Sequence, residues 1–464
     1  MERSILGKKP VLALLLLGIC AFDMADADAQ KVLILNASAL TISSPPSAKL
    51  LIPQKDRLNP ATIIRTGYLN VNSAFFSRSE KPSANAGIEL KLFNDTKVSM
   101  ENLVVNKMKT GVLVWEGTIP ARVYGHASLA FINNSISGIL QVDNKVYEIS
   151  PTLQSGVAEI VELDQSNFPD PTKHGDEAAK QTLQQPKRLT TSLNRPLLPA
   201  GLRRQPILSV INILAIYPVP NIAPVVRPAI CNPYILALNA AKLEASLNNA
   251  MPASFSEIAT HYNNPRMHVR FEVTARCQTG INLDRSLYQQ RQDLRNSIAI
   301  QALRNTYHAD LVALISPKHT GIGCGSSDDA PGLGLIESQA FTVVDQGCAL
   351  PVFSFAHEIG HLLGMHHERY TAYTQDNSEF PETCSYGYTN VLDGYTTILG
   401  GWKLCADLRF GQSNVCPKVG IFSRGFSDLK DGVACSSEAK NGMLGRADNL
   451  GQLLIAAPVV SRYR

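Results

Sequence analysis

Apolar and polar positions change rhythm three times along the chain. Val11 to Phe22 is an unbroken apolar run behind Arg3, Lys8 and Lys9, and Ala27-Asp28-Ala29 then offers small residues at alternate positions. This succession predicts a secretory signal peptide over residues 1–29, since the run is too short to span a bilayer. From residue 30 to about 165 the runs are short and apolar or alternating: Ile88 to Leu92, Val112 to Trp115 and Ser128 to Ile132 predict strands. Asp143-Asn144, between Ile139–Val142 and Lys145–Ile149, predicts a hairpin turn. Residues 166–204 lose that periodicity to Pro, Lys, Gln, Asp and Thr, the composition of a linker. The linker ends in Arg203-Arg204, an exposed basic site of the kind where chains are nicked, and its His174-Gly175-Asp176 reads as a solvated charged loop.

Beyond residue 205 the rhythm alternates between strand and helix. Ile207–Tyr217, His268–Thr274, Asp310–Ser316 and Phe341–Val344 read as strands, and Tyr234–Met251 and Leu294–Tyr307 as helices. An α/β sheet packed on helices is expected over 205–464, preceded by a β-rich domain over 30–165.

Composition narrows the class. Of 464 residues, 45% are hydrophobic and 18% charged, enough to bury real cores, and a net charge of +4 is small for this length. No basic run interleaved with aromatics marks a nucleic-acid face, and no membrane segment is expected once the signal is gone. Of nine cysteines, Cys20 leaves with the signal, and the other eight all lie from Cys231 onward. An even set in an exported chain predicts disulfides, with 105 pairings open. None has the short paired spacing of a thiolate zinc site. The expected location is extracellular, or the periplasm of a bacterium.

The chemistry concentrates in His357-Glu358-Ile359-Gly360-His361-Leu362-Leu363-Gly364-Met365-His366-His367, which holds four of the ten histidines. On a helix, positions i and i+4 share a face, so His357 and His361 direct two imidazole nitrogens at one metal ion. Glu358, on the same turn, is placed to take a proton from water activated by the metal. Gly364 is where a helix can stop through a left-handed residue, letting the chain turn back and bring in a third ligand. His366 and His367 compete for that role, and the spacing of the extended motif favours His367. Three neutral nitrogens with one position left open are the mark of a catalytic rather than a structural Zn2+ site.

This motif resembles that of the metzincin metalloproteases. Within them the chain is similar to reprolysin-like zinc proteases of the bacterial peptidyl-Asp metalloendopeptidase type. Ala309 to Ile315, Ala340 to Val344 with Cys348, Ser354 to His361, Tyr386 to Thr389 and Ala447 to Asn449 carry the resemblance, as do Ile149-Ser150-Pro151 and Glu162 to Ser166 in the first part. It implies a twisted mixed sheet with an edge strand and a zinc-binding helix. It further implies zinc ligation by His357, His361 and His367, with Glu358 as general acid/base. Substrate would lie extended along the edge strand, expected at Phe341–Val344. The β-rich domain would be a propeptide that inhibits the enzyme within the same chain. One position departs from the family: Leu399, in Thr396 to Trp402, stands where the turn beneath the metal carries methionine. Similar volume makes it a packing substitute. The expected function is a secreted zinc endopeptidase made as a proenzyme. The competing class is a zinc-binding, partner-binding protein with little proteolysis.

Overall fold

The computed structural model describes residues 33–34, 39–46, 58–77, 86–121, 124–143, 145–169, 207–219, 231–251, 267–317, 323–328, 337–368, 385–401, 416–424 and 447–464. The signal segment, Asp176, Arg203-Arg204 and Trp402 lie outside the described residues.

The first part forms one ten-stranded sheet. Its strands are β1 (Leu33–Ile34), β2 (Leu40–Ile42), β3 (Ile63–Val71), β4 (Ala86–Phe93), β5 (Thr96–Lys107), β6 (Leu113–Thr118), β7 (Gly125–Ile132), β8 (Ser135–Val142), β9 (Lys145–Pro151) and β10 (Val157–Asp164). They are ordered β1-β4-β5-β6-β7-β8-β9-β10-β3-β2. The expected hairpin is present: Val142 pairs with Lys145, and Asp143 takes the left-handed φ of 53° that a tight two-residue turn requires. Asn133 and Asn134 make the same kind of turn between β7 and β8, at φ 47° and 61°. Arg65 on β3 reaches Asp95 and Thr96 at the β4–β5 turn and lies over the Phe93 ring, so the sheet curls until its two ends meet.

Strands β8 to β10 are buried on both faces, which hides the alternation expected of an antiparallel sheet. Leu140, Tyr147 and Ile160 point into the curl, with Phe75, Phe76, Trp115 and Phe131. Their neighbours Ile139, Val146 and Val161 join a core shared with the second part, including Leu243, Phe355, Ile359 and Leu399. The folded first part continues past the expected start of the linker: Gln165–Asn167 form a 3-10 turn and Phe168 packs into that shared core.

The second part is built on β11 (Ile207–Pro218), β12 (Met267–Gln278), β13 (Leu311–Ser316), β14 (Gly325–Ser327) and β15 (Phe341–Asp345), ordered β12-β11-β13-β15-β14. All neighbours are parallel except β14, which runs antiparallel to β15. Helix α1 (Pro233–Asn249) crosses from β11 to β12, and α2 (Leu287–Asn296) and α3 (Ile298–Thr306) from β12 to β13. Ile213, Ala215 and Ile315 face the shared core, while Leu214, Ile216 and Leu314 pack on Leu287, Leu294 and Ile300. Helices α4 (Ser354–Leu362) and α5 (Asn449–Val460) complete the shared core, and β16 (Thr389–Asn390) pairs with β17 (Tyr395–Thr396) in a small hairpin.

Two expectations need correction. Phe341–Val344 is not the edge strand: β15 is paired on both sides, and the edge is the three-residue β14, too short and too rich in Gly and Ser to show periodicity. Leu294–Tyr307 is not one helix. Ser297 is extended, at ψ 115°, and its hydroxyl caps α3, so the apolar spacing runs across a break. Disulfides join Cys231 to Cys277 and Cys324 to Cys348, and Cys416 is also disulfide-bonded. Among the described residues, no helix is long and apolar enough to cross a membrane.

Candidate metal centre

Helix α4 begins at Phe353, a buried residue held in the left-handed region at φ 56° without a side-chain cap. It ends in a Schellman turn: Met365 N–H donates to Gly360 O, Gly364 N–H to His361 O, and Gly364 takes φ 76°. A Cβ at position 364 would be strained there, which is why glycine ends the helix. The reversal carries the chain back so that His367 meets the helix face bearing His357 and His361.

All three imidazoles are buried. Their Nε2 atoms lie 3.0 Å (His357–His367), 3.1 Å (His357–His361) and 3.1 Å (His361–His367) apart. The opposite nitrogens show which atoms carry protons. His357 Nδ1 is 2.8 Å from Ile398 O and His361 Nδ1 is 2.9 Å from Met365 O, and a carbonyl only accepts, so both rings are protonated at Nδ1. Their Nε2 atoms therefore point bare lone pairs at one another, an arrangement that suits a cation between them. Tetrahedral nitrogens about 2.0–2.1 Å from zinc would sit roughly 3.3 Å apart, close to what is seen. Burial, followed by the charge of nearby Lys418, holds the His357 pKa well below the ordinary histidine value, keeping the ring in its ligand form. Among the described residues this is the one group of three or more His, Cys, Asp or Glu side chains able to share a metal ion. His366 is outside it: it is half-buried, bridges to Tyr386 and lies beside that ring.

Glu358 is fully buried. Ser327 Oγ on β14 donates to its Oε2 at 2.5 Å, and Thr342 Oγ1 on β15 stands 2.9 Å from Ser327 Oγ. The carboxylate lies against Gly325, where an added Cβ would come within 2.3 Å of Oε1. Edge strand and carboxylate are thus fitted to each other. Beneath the helix, Leu399 is fully buried, and a Cβ on Gly360 would meet its Cδ1 at 2.9 Å. Leu399 thus fills space directly under the zinc-motif helix. Lys418, also fully buried, donates from Nζ to Ile398 O at 2.7 Å, the same carbonyl that holds His357. At the far end of the helix, Gln452 on α5 donates to Leu363 O.

Gly325, Ser327, Thr342 and Lys418 are not legible as site residues in the sequence. The one signal is the run of small residues Gly323-Cys324-Gly325-Ser326-Ser327, which allows close approach of a neighbouring side chain. Nothing marks Lys418.

Comparison with known proteins bears on the same segment. Residues 248–368 match the metallo-peptidase family M12B, Reprolysin-like. The chain is similar to a peptidyl-Asp metalloendopeptidase of Stenotrophomonas maltophilia, 32% identical over 126 residues, 27% of this chain and 26% of the relative. It is also similar to a peptidyl-Asp metalloendopeptidase of Xanthomonas campestris pv. campestris, 29% identical over 155 residues, 33% of this chain and 32% of the relative. The matches thus span about a quarter to a third of the length of these relatives. Among solved structures, metalloproteinase-II from Bacteroides fragilis aligns over 62% of this chain and 84% of that one, at 12% identity and a TM-score of 0.32.

Proposed function

From the premise that residues 248–368 are a reprolysin-like metallopeptidase segment, we propose that the chain is a secreted, zinc-dependent endopeptidase made as a proenzyme. One observation carries the reading: three buried Nε2 atoms converge within 3.1 Å, two of them on rings protonated at the other nitrogen.

His357, His361 and His367 would hold the zinc. When bound, zinc supplies Lewis acidity and makes hydroxide available near neutral pH. The chain's own groups do the rest. The Glu358 carboxylate, oriented by Ser327, takes the proton of the attacking water and returns it to the leaving amine. Among the described residues β14 is paired on one side only, so a peptide could add there as a further strand and be held extended across the site. The first part would be the pro-part, joined through the linker that ends in Arg203-Arg204. The rival reading, a zinc-binding protein with little proteolysis, drew on the missing turn methionine. Leu399 fills the space under Gly360, so the missing methionine leaves no gap beneath the helix.

The test is casein cleavage by purified secreted protein beside Glu358→Ala, with zinc content measured in both. The expected result is cleavage by the wild type alone with zinc in both proteins. Equal cleavage by the two would refute the role of Glu358. A wild type that is full of zinc and inert would favour the rival.

A further inference from the structure

We propose that Gln165, at the end of the N-terminal sheet, is a positioning residue for His357, so that in the uncleaved chain the N-terminal sheet braces the metal site. The proposal rests on the reading of His357 as a zinc ligand.

The chain of contacts starts at the ligand. Ile398 O has two lone pairs: one accepts His357 Nδ1–H at 2.8 Å, the other Lys418 Nζ at 2.7 Å. The position of that carbonyl sets the orientation of the ring, as such partners of metal-bound histidines do. Lys418 is wholly buried, so its ammonium cannot swing out to water, and its reach is set by where its backbone is held. Gln165 holds that backbone. Its Oε1 accepts from Lys418 N–H at 3.0 Å, and its Nε2 lies 3.3 Å from Lys418 O. Gln141 on β8 donates to the same carbonyl at 2.5 Å. Gln165 Nε2 also donates to Pro351 O at 2.9 Å, three residues before α4 begins. One buried amide of the N-terminal sheet therefore grips both the segment leading into the metal-binding helix and the segment bracing His357 from below.

This goes beyond a generic interface. Elsewhere on the same contact surface, Lys242 on α1 approaches Glu148 on β9 at 3.7 Å, an ion pair that joins the two parts. A residue that only helps the two parts dock resembles Glu148; a positioning residue also changes the ligand. Changing the partners of metal-bound histidines costs about 10–100-fold in affinity, and Gln165 acts two links beyond the partner, through Lys418 and Ile398, so the low end, about tenfold, is expected.

The experiment uses the full chain with Gln165→Met, Lys418→Met and, as the docking control, Glu148→Gln. Zinc affinity is measured by chelator competition. The His357 Nδ1–H resonance is followed by NMR in metal-free protein with labelled histidine. The expected result is a zinc Kd raised about tenfold and a shifted or broadened resonance in both methionine variants. Glu148→Gln should keep the wild-type resonance and a Kd within about twofold, even if it melts earlier. Unchanged Kd and resonance in Gln165→Met and Lys418→Met would overturn the proposal, as would an equal change in Glu148→Gln. A wild type that takes up no zinc, yet shows the resonance change in both variants, would sink the zinc-peptidase reading and leave the relay standing. If Gln165→Met does not accumulate, Gln165→Glu keeps the size and the acceptor for Lys418 N–H but loses the donor to Pro351 O and Lys418 O. It should therefore raise the Kd by less than Lys418→Met does, and no change of Kd or resonance in either variant would overturn the proposal.

Discussion

Replacing Gly325 by alanine tests how closely the edge strand is fitted to the base. An added Cβ would lie 2.3 Å from Glu358 Oε1 and 2.5 Å from its Cδ and Cγ, where ordinary contact begins at 3.4 Å. Gly325 has no left-handed φ, so its backbone accepts alanine, and the side chain of Glu358 must give way. A retreat of about 1 Å restores contact, and it pulls the carboxylate from Ser327 and from its working position. Misplacement on that scale costs about 10²-fold, or about 2.7 kcal/mol of transition-state stabilisation, at the lower end of the 10²–10⁴-fold typical of a whole general base. Overpacking should cost about 1–3 kcal/mol of stability, leaving a folded protein that still carries zinc. The assay is kcat/KM on a quenched fluorescent peptide, with zinc stoichiometry and thermal unfolding as controls. Gly325→Ala is expected to lose about 100-fold in kcat/KM at full zinc occupancy. The double variant Gly325→Ala/Glu358→Ala should be no slower than Glu358→Ala alone, because the glycine acts only through that carboxylate. Zinc-loaded Gly325→Ala within about threefold of wild type would refute the reasoning, and so would additive losses in the double variant.

Two further expectations follow from the packing around the site. Leu399→Met changes the side chain at nearly constant volume, so stability should change by less than about 1.5 kcal/mol and peptide cleavage by less than threefold or so; a tenfold gain in cleavage would mean that Leu399 limits the activity. Glu244 on α1 is buried, and its carboxyl is pushed up to about 7 from 4.5, chiefly by burial, although Val273 N–H donates to it at 2.9 Å. With the folded value above the unfolded one, the native state favours the protonated carboxyl. Its stabilising effect is complete below about pH 4.5 and is lost as pH rises through about 7. Glu244→Gln keeps an acceptor for Val273 and removes the charge, so urea unfolding should show it gaining up to roughly 3 kcal/mol on wild type at pH 8 and almost nothing near pH 4. A constant difference between the two proteins across that range would count against the assignment.

Local rules were enough for the parts of this protein that depend on near neighbours in the chain. The spacing of His357, His361 and Gly364 needs only helix geometry and a left-handed stop, and both are present. Asp143 turns its hairpin as its residue type suggests. Strands β11, β12, β13 and β15 are apolar and β-branched enough to be read directly. What tertiary structure decided are the contacts between residues far apart in sequence. Strand β14 is only three residues of Gly and Ser, and its place at the edge comes from pairing with β15 and from leaving room for the Glu358 carboxylate. Strands β8 to β10 lost their alternation because a second core covers their other face. Lys418 and Gln165 lie 253 positions apart and carry no motif, yet the folded chain joins them beneath His357. The physical reason is burial: a lone lysine or glutamine is chemically ordinary until its surroundings exclude water, and then its few remaining partners determine where it sits and what it holds.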